Sequence, residues 1–317
     1  MYRVGIDLGG TNIAVGVVNE EYEIVGEGKR KTNAPRPAEA ICDDIAAATF
    51  DAIKNAGISI DDVECVGIGA PGSINPKTGV IGFSNNLGFN NVPMVELLES
   101  RIGKKIYIDN DANAAALGEM IAGAGKGTEN FVAITLGTGV GGGTIINGKM
   151  LLGSNFAGGE LGHTVIVHGG AQCTCGRKGC FEAYASATGL IRLTKEKMET
   201  AKDSKMWEIV GGDINNVNGR TAFDAMRQDD KAGTEVVDTY CDYLACGITN
   251  IINVFQPEVL CIGGGVSKEG DNILSRINKV VVPERFSKNI DRQTVIKTAV
   301  LGNDAGIIGA AMLDKIY

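Results

Sequence analysis

The sequence has no excess of basic charge, no long apolar run and only two histidines. Thirty Lys and Arg stand against 38 Asp and Glu, for a net charge of −8. A chain this acidic repels a phosphate backbone, which argues against general nucleic-acid binding. No apolar stretch reaches the roughly 20 residues that span a bilayer, so no membrane partner is expected. Met1-Tyr2-Arg3 leads straight into a strand pattern, so no signal peptide is expected. Cys42, Cys65, Cys241, Cys246 and Cys261 are scattered among apolar neighbours. That pattern suggests reduced thiols in a cytoplasmic protein. What remains is ordinary globular composition, 44% hydrophobic and 21% charged, in a chain long enough for two domains. Glycine is abundant at 45 residues, so tight turns and close backbone approaches are expected.

The most concentrated chemistry lies between Gly158 and Glu182. Cys173, Cys175 and Cys180 fall within eight residues, and both histidines, His163 and His168, stand just upstream. Three thiolates and one imidazole form the donor set of a tetrahedral structural Zn2+. A redox pair and three buried thiols are the other readings. The Gly, Arg and Lys between these cysteines do not make a core strand. By residue type, either histidine qualifies as the fourth ligand.

Two glycine turns echo each other. The apolar run Tyr2–Ile6 ends in Asp7-Leu8-Gly9-Gly10-Thr11-Asn12, and an apolar run resumes at Ile13. Phe131–Leu136 runs into Gly137-Thr138-Gly139, and another strand follows. Bare backbone N–H groups at such tips can approach a phosphate, and Asp7 could hold a hydrated Mg2+. A plain hairpin turn is the competing reading for each alone. The repetition suggests two related halves facing one ligand. Neither turn is a Walker A loop, because no Gly-Lys-Ser/Thr follows. Neither opens a helix, as a Rossmann fingerprint must.

The rest of the chain reads as alternating α/β structure. Ile41, Ile45, Ala48, Ala52 and Ala56 repeat at helical spacing and are closed by Gly57. Val63–Ile68 is a strand with the loop Gly69–Gly72 at its end. Asn85 and Asn86 sit in a polar loop closed by Phe89, and their amides suit sugar hydroxyls or a simple turn. A strand at 106–108 runs into Asp109–Asn113, and a helix is expected from Ala114 to Ala122. Asp111 then lies near a helix N-terminus, which favours an ionised carboxylate. It reads either as a base for phosphoryl transfer or as an N-cap. No chemistry is evident from Ala183 to Arg227. A long apolar helix face from Val236 to Phe255 stops at Gln256-Pro257. Gly263–Ser267 follows a strand, either as a surface for a purine or as a strand-to-helix turn. Gly306 and Gly309 allow the last helix to pack closely.

Taken in order, these pieces resemble the ROK sugar kinases, and bacterial glucokinases among them. The resemblance covers the whole chain. It rests on DLGGT at 7–11, GAPG at 69–72, NNLGF at 85–89, NDAN at 110–113 and LGTGVGGG at 136–143. GELGH at 159–163, CTCGRKGCFE at 173–182 and GGGVS at 263–267 complete it. It implies an α/β, actin-like (ribonuclease H-like) fold of two domains around a cleft. The domains expected are 1–115 with 303–317, and 116–302. It implies ATP-dependent phosphorylation of glucose at its 6-hydroxyl, with Mg2+ required. Asp111 matches the catalytic base. Asn86, Asn110, Glu160, His163 and Glu182 match sugar-binding positions. Gly9, Gly10, Thr11, Gly137, Thr138 and Gly139 match phosphate-contacting turns, with Asp7 and Asn12 beside the first. Gly264 and Gly265 match the adenosine side. His163 matches the fourth zinc ligand, beside Cys173, Cys175 and Cys180. A homodimer or homotetramer is expected.

Two positions depart from the family's pattern. Asn12 stands where many relatives carry Lys, which removes one positive charge near the phosphates. Phe89 stands where Trp is common. N-acetylmannosamine, N-acetylglucosamine, fructose or mannose is the alternative substrate. A sugar-sensing repressor is an alternative of another class, but the turn at residue 7 leaves no room for a preceding helix-turn-helix.

Overall fold

The computed structural model describes all residues, Met1–Tyr317. The chain divides into two compact units. The first comprises residues 1–133, 143–159 and 299–317, and the second residues 134–142 and 160–298.

The first unit opens with β1 (Tyr2–Leu8), β2 (Asn12–Val18) and β3 (Ile24–Lys31), followed by helix α1 (Ala38–Asn55). Then come β4 (Val63–Ala70), β5 (Ser73–Asn75), β6 (Val80–Ser84), β7 (Phe89–Val92) and α2 (Met94–Ile102). Strand β8 (Ile106–Asn110) runs without a loop into α3 (Asp111–Ile121). The main sheet has the order β3-β2-β1-β4-β8, and β5-β6-β7 form a small separate sheet. β1, β2 and β3 are antiparallel neighbours, while β1, β4 and β8 run parallel. The carboxyl ends of three parallel strands therefore lie side by side, where α/β folds place their ligands.

Strand alternation assigns the two faces of this sheet. Val4, Ile6 and Leu8 are fully buried in a core with Ile41 and Ile45 of α1 and Leu98 of α2. Gly5 and Gly67 belong to the other face. A Cβ on either would overlap a backbone carbonyl, that of Ile307 for Gly5 and that of Ala310 for Gly67. Glycine is needed there because a helix backbone lies directly on the sheet.

The chain continues through β9 (Phe131–Leu136), β10 (Val140–Ile146) and β11 (Lys149–Met150). Helices α4 (Phe181–Ala185), α5 (Ala187–Thr200), α6 (Lys205–Ile209), α7 (Thr221–Met226) and α8 (Lys231–Phe255) follow. Strand β12 (Val259–Gly264), helix α9 (Asp271–Glu284) and strand β13 (Val295–Thr298) complete the second unit. A second sheet has the order β11-β10-β9-β12-β13, and β12 and β13 are parallel. The buried side of α8 carries Val236, Tyr240, Leu244, Ile248 and Ile251, the periodic face expected of it. Gln256, in the left-handed conformation at φ 43°, ends the helix one residue before Pro257. Helix α10 (Asp304–Ala311) belongs to the first unit and packs against α3, β1 and β4.

Element ends differ slightly from the expected ones. Helix α3 begins at Asp111, not Ala114, because the Asn110 side chain caps it. Helix α1 ends at Asn55 with Ala56 as its C-cap, and Gly57 follows in the left-handed conformation at φ 71°. No helix is long and apolar enough to cross a membrane.

Candidate active site

In the first unit the expected residues gather at the carboxyl ends of β1, β4 and β8. Asp7 pairs in register with Gly69, and Gly69 with Asp109, so the three form one row across the sheet. Asn110 then turns the chain into α3. Its Oδ1 accepts from Ala112 N at 2.9 Å, and its Nδ2 donates to Gly72 O at 3.2 Å. The N-cap position is thus filled by Asn110, and Asp111 is the first helical residue. This geometry removes the N-cap reading of Asp111. Asp111 accepts from the adjacent Ala112 N, at 2.9 Å. Burial raises its pKa above the ordinary carboxylate range, and the N–H of Ala112 opposes that rise. Asp7 behaves likewise. Burial first, then the nearby charge of Asp111, lifts it from 3.8 to about 6.

The Asp7–Asn12 turn is held from its ends. Gly9 N donates to Asn12 O at 2.9 Å, and Thr32 Oγ1 donates to Gly9 O at 2.6 Å. The N–H groups of Gly10 and Thr11 have no backbone acceptor. Asp7, Gly9, Gly10, Thr11 and Asn12 line a pocket of about 890 Å³. Asn86, at the tip of the β6–β7 hairpin, lies against Gly10. Its carbonyl oxygen would sit 3.1 Å from a Cβ placed there.

In the second unit, the Gly137–Gly139 turn joins β9 to β10, with Gly137 N donating to Gly139 O at 3.0 Å. Glu182 approaches this turn so closely that a Cβ on Gly139 would overlap its carboxylate. Val140 N donates to Glu182 Oε2 at 3.0 Å, and Thr174 Oγ1 to Glu182 Oε1 at 3.2 Å. One carboxylate therefore ties the glycine turn to the cysteine-rich loop. Helix α5 begins beside the same turn, since Ala187 N donates to Gly137 O at 2.8 Å and Thr188 Oγ1 to Thr138 O at 2.8 Å. A helix N-terminus next to a glycine turn suits an anion. Gly264, at φ 87°, abuts Leu136 so tightly that any Cβ would overlap its backbone. Gly265 faces open space and lines a pocket of about 660 Å³ with Asn218, Arg220 and Arg227.

The cysteine-rich loop forms the tetrad that its composition suggested. One donor atom each from His163, Cys173, Cys175 and Cys180 lies within 4.8 Å of every other. Cys175 and Cys180 sulfurs are 3.7 Å apart, and Cys173 Sγ is 3.7 Å from His163 Nδ1. Zn–S bonds of about 2.3 Å in a tetrahedron place ligand atoms about 3.8 Å apart, so the donors fit zinc. His163 belongs to the cluster and His168 does not. Because Nδ1 faces the sulfurs, Nε2 of His163 is left for another partner. Glu160 precedes the short turn Leu161–His163, and its carbonyl accepts from His163 N at 3.1 Å.

Asn218, Arg220 and Arg227 lie in a segment where no chemistry was evident from the sequence, and no motif marks them. Asp109 was also missed. It is buried, and it accepts from Asn110 N at 2.7 Å, Asn113 Nδ2 at 3.0 Å and Tyr317 OH at 2.5 Å. Those bonds fix the strand end from which Asn110 and Asp111 project.

The sequence profile of the ROK family matches residues 3–316. The chain belongs to the ROK family. It is 40% identical over 316 residues to a glucokinase of Halalkalibacterium halodurans, covering 99% of this chain and 95% of that one. A glucokinase of Thermotoga maritima is 36% identical over 313 residues, covering 98% and 96%. The crystal structure of a ROK family glucokinase from Streptomyces griseus in complex with glucose and AMPPNP superposes with a TM-score of 0.79. That protein is 35% identical, and 99% of each chain is covered. The fold is accordingly the two-domain, actin-like α/β fold of the ROK sugar kinases.

Proposed function

We propose that this ROK protein transfers the γ-phosphoryl group of ATP to the 6-hydroxyl of glucose. Asp111 carries the reading. It is a half-buried carboxylate at the first turn of a helix, relieved of capping by Asn110, among residues that bind by hydrogen bonds. The glucokinases that resemble the chain over its full length favour glucose as the sugar.

Asp111 orients the hydroxyl and accepts its proton as phosphoryl transfer proceeds. The acceptor must be ionised. Burial holds the pKa of Asp111 high, so the group is a stronger base than a solvated carboxylate. Asn86, Asn110, Glu160, His163 and Glu182 bind the sugar, with amides and carboxylates matched to hydroxyls. The Gly9–Thr11 and Gly137–Gly139 turns take the phosphates, and the pocket beside Gly265 takes the adenosine. Asp7, facing the first turn, would hold Mg2+, which would supply charge neutralisation at the phosphates. His163, Cys173, Cys175 and Cys180 would hold zinc, which would fix the imidazole and leave Nε2 for the sugar. In this reading zinc is structural and does not touch phosphate.

The test is Asp111→Asn, which preserves shape and removes the base. Turnover is expected to fall about 10²- to 10⁴-fold, while glucose affinity by calorimetry stays within about twofold of wild type. Turnover within tenfold of wild type would refute Asp111 as the base.

A further inference from the structure

Lys31 is the last residue of β3, and its cross-strand partner is Asn12, the first residue of β2. Its ammonium donates to Asn12 Oδ1 at 2.8 Å. Both residues line the 890 Å³ pocket with Asp7 and the Gly9-Gly10-Thr11 turn. Neighbouring cations are committed elsewhere. Lys29 is paired with Glu27 at 2.6 Å, Arg30 with Asp51 and Arg36 with Asp44. Lys31 makes no ion pair. An amide oxygen orients an ammonium without cancelling its charge, and two of its three N–H donors stay available.

We propose that Lys31, positioned by Asn12, is the cation that binds the nucleotide's phosphate chain in this protein. The proposal rests on the reading that the Gly9–Thr11 turn takes phosphates, and it deepens that reading. An oriented point charge beside two unpaired backbone N–H groups is the arrangement that holds a polyanion. Asn12 itself is a positioning residue: it brings no charge and holds one in place. A purely structural surface pair would leave nucleotide affinity untouched.

The experiment uses the whole protein with Mg2+ and titrates ATP, adenosine and glucose against wild type and Lys31→Met. Losing a charged hydrogen-bonding partner predicts about a tenfold or greater loss of ATP affinity. Adenosine and glucose affinities are expected to stay within about twofold of wild type. Asn12→Ala, which keeps the ammonium but frees it, is expected to weaken ATP by a smaller factor. Asn12→Lys added to Lys31→Met is expected to restore ATP binding, because the two positions face each other across the strands. ATP affinity unchanged in Lys31→Met would overturn the proposal. So would equal losses for ATP, adenosine and glucose, which would mark Lys31 as structural. A wild-type protein that binds adenosine but gains nothing from the triphosphate would overturn the phosphate reading of the turn itself, and this proposal with it.

Discussion

Asp7 shows what placing chemistry in a buried row costs. Its carboxyl titrates at about 6 instead of 3.8, raised first by burial and then by the charge of Asp111. Because the folded pKa lies above the unfolded one, the ionised form opposes folding. The penalty is absent below about pH 4, grows between 4 and 6, and is fully present above 6. A shift of this size corresponds to about 3 kcal/mol. Asp7→Asn removes the charge and keeps the shape. The variant is expected to be more stable than wild type by about 1–3 kcal/mol at pH 7.5 in urea melts without Mg2+, with the gain shrinking toward pH 4.5. Turnover should fall sharply in the same variant. Equal stabilities at pH 7.5 would contradict this account of Asp7.

At the scale of elements, the contrast lies between local and cross-chain structure. The metal tetrad was legible because three of its ligands fall within eight residues and the fourth is ten residues upstream. The glycine turns were legible as strand–turn–strand patterns. The ties between elements were not. Asn12 and Lys31 meet only because β2 and β3 pair in one register. Glu182 meets Val140 N across 42 residues, and Tyr317 meets Asp109 across 208. No spacing rule reaches that far. Choosing His163 over His168 likewise needed the folded loop or the family resemblance. The loop's backbone is held by bonds such as Ile166 N to Gly179 O and Cys173 N to Arg177 O, both 2.9 Å, whereas the His163 ring meets only a thiol, Cys173 Sγ at 3.7 Å from Nδ1. The orientation of that ring should therefore depend on the metal. Stripping zinc, or making Cys180→Ser, is expected to weaken glucose binding about 10- to 100-fold, with adenosine affinity little changed. Metal content and calorimetry on one preparation check this. Zinc-free protein that binds glucose normally would contradict it.

At the scale of the whole molecule, family membership spans residues 3–316, and each compact unit holds its own share of the expected groups. The first carries Asp7, Asn86, Asn110 and Asp111, and the second carries Glu160, the tetrad, Glu182 and the Gly265 pocket. The choice of sugar depends on the space and polar groups around the 2-position, which no motif encodes. The most direct measurement is ATP consumption with Mg2+ against glucose, mannose, fructose, N-acetylmannosamine and N-acetylglucosamine, with the phosphorylated position assigned by NMR. The account predicts that glucose leads in kcat/KM and that the product carries its phosphate on the 6-oxygen. No phosphorylation of any of these sugars, or a clear lead for an N-acetyl sugar, would contradict it.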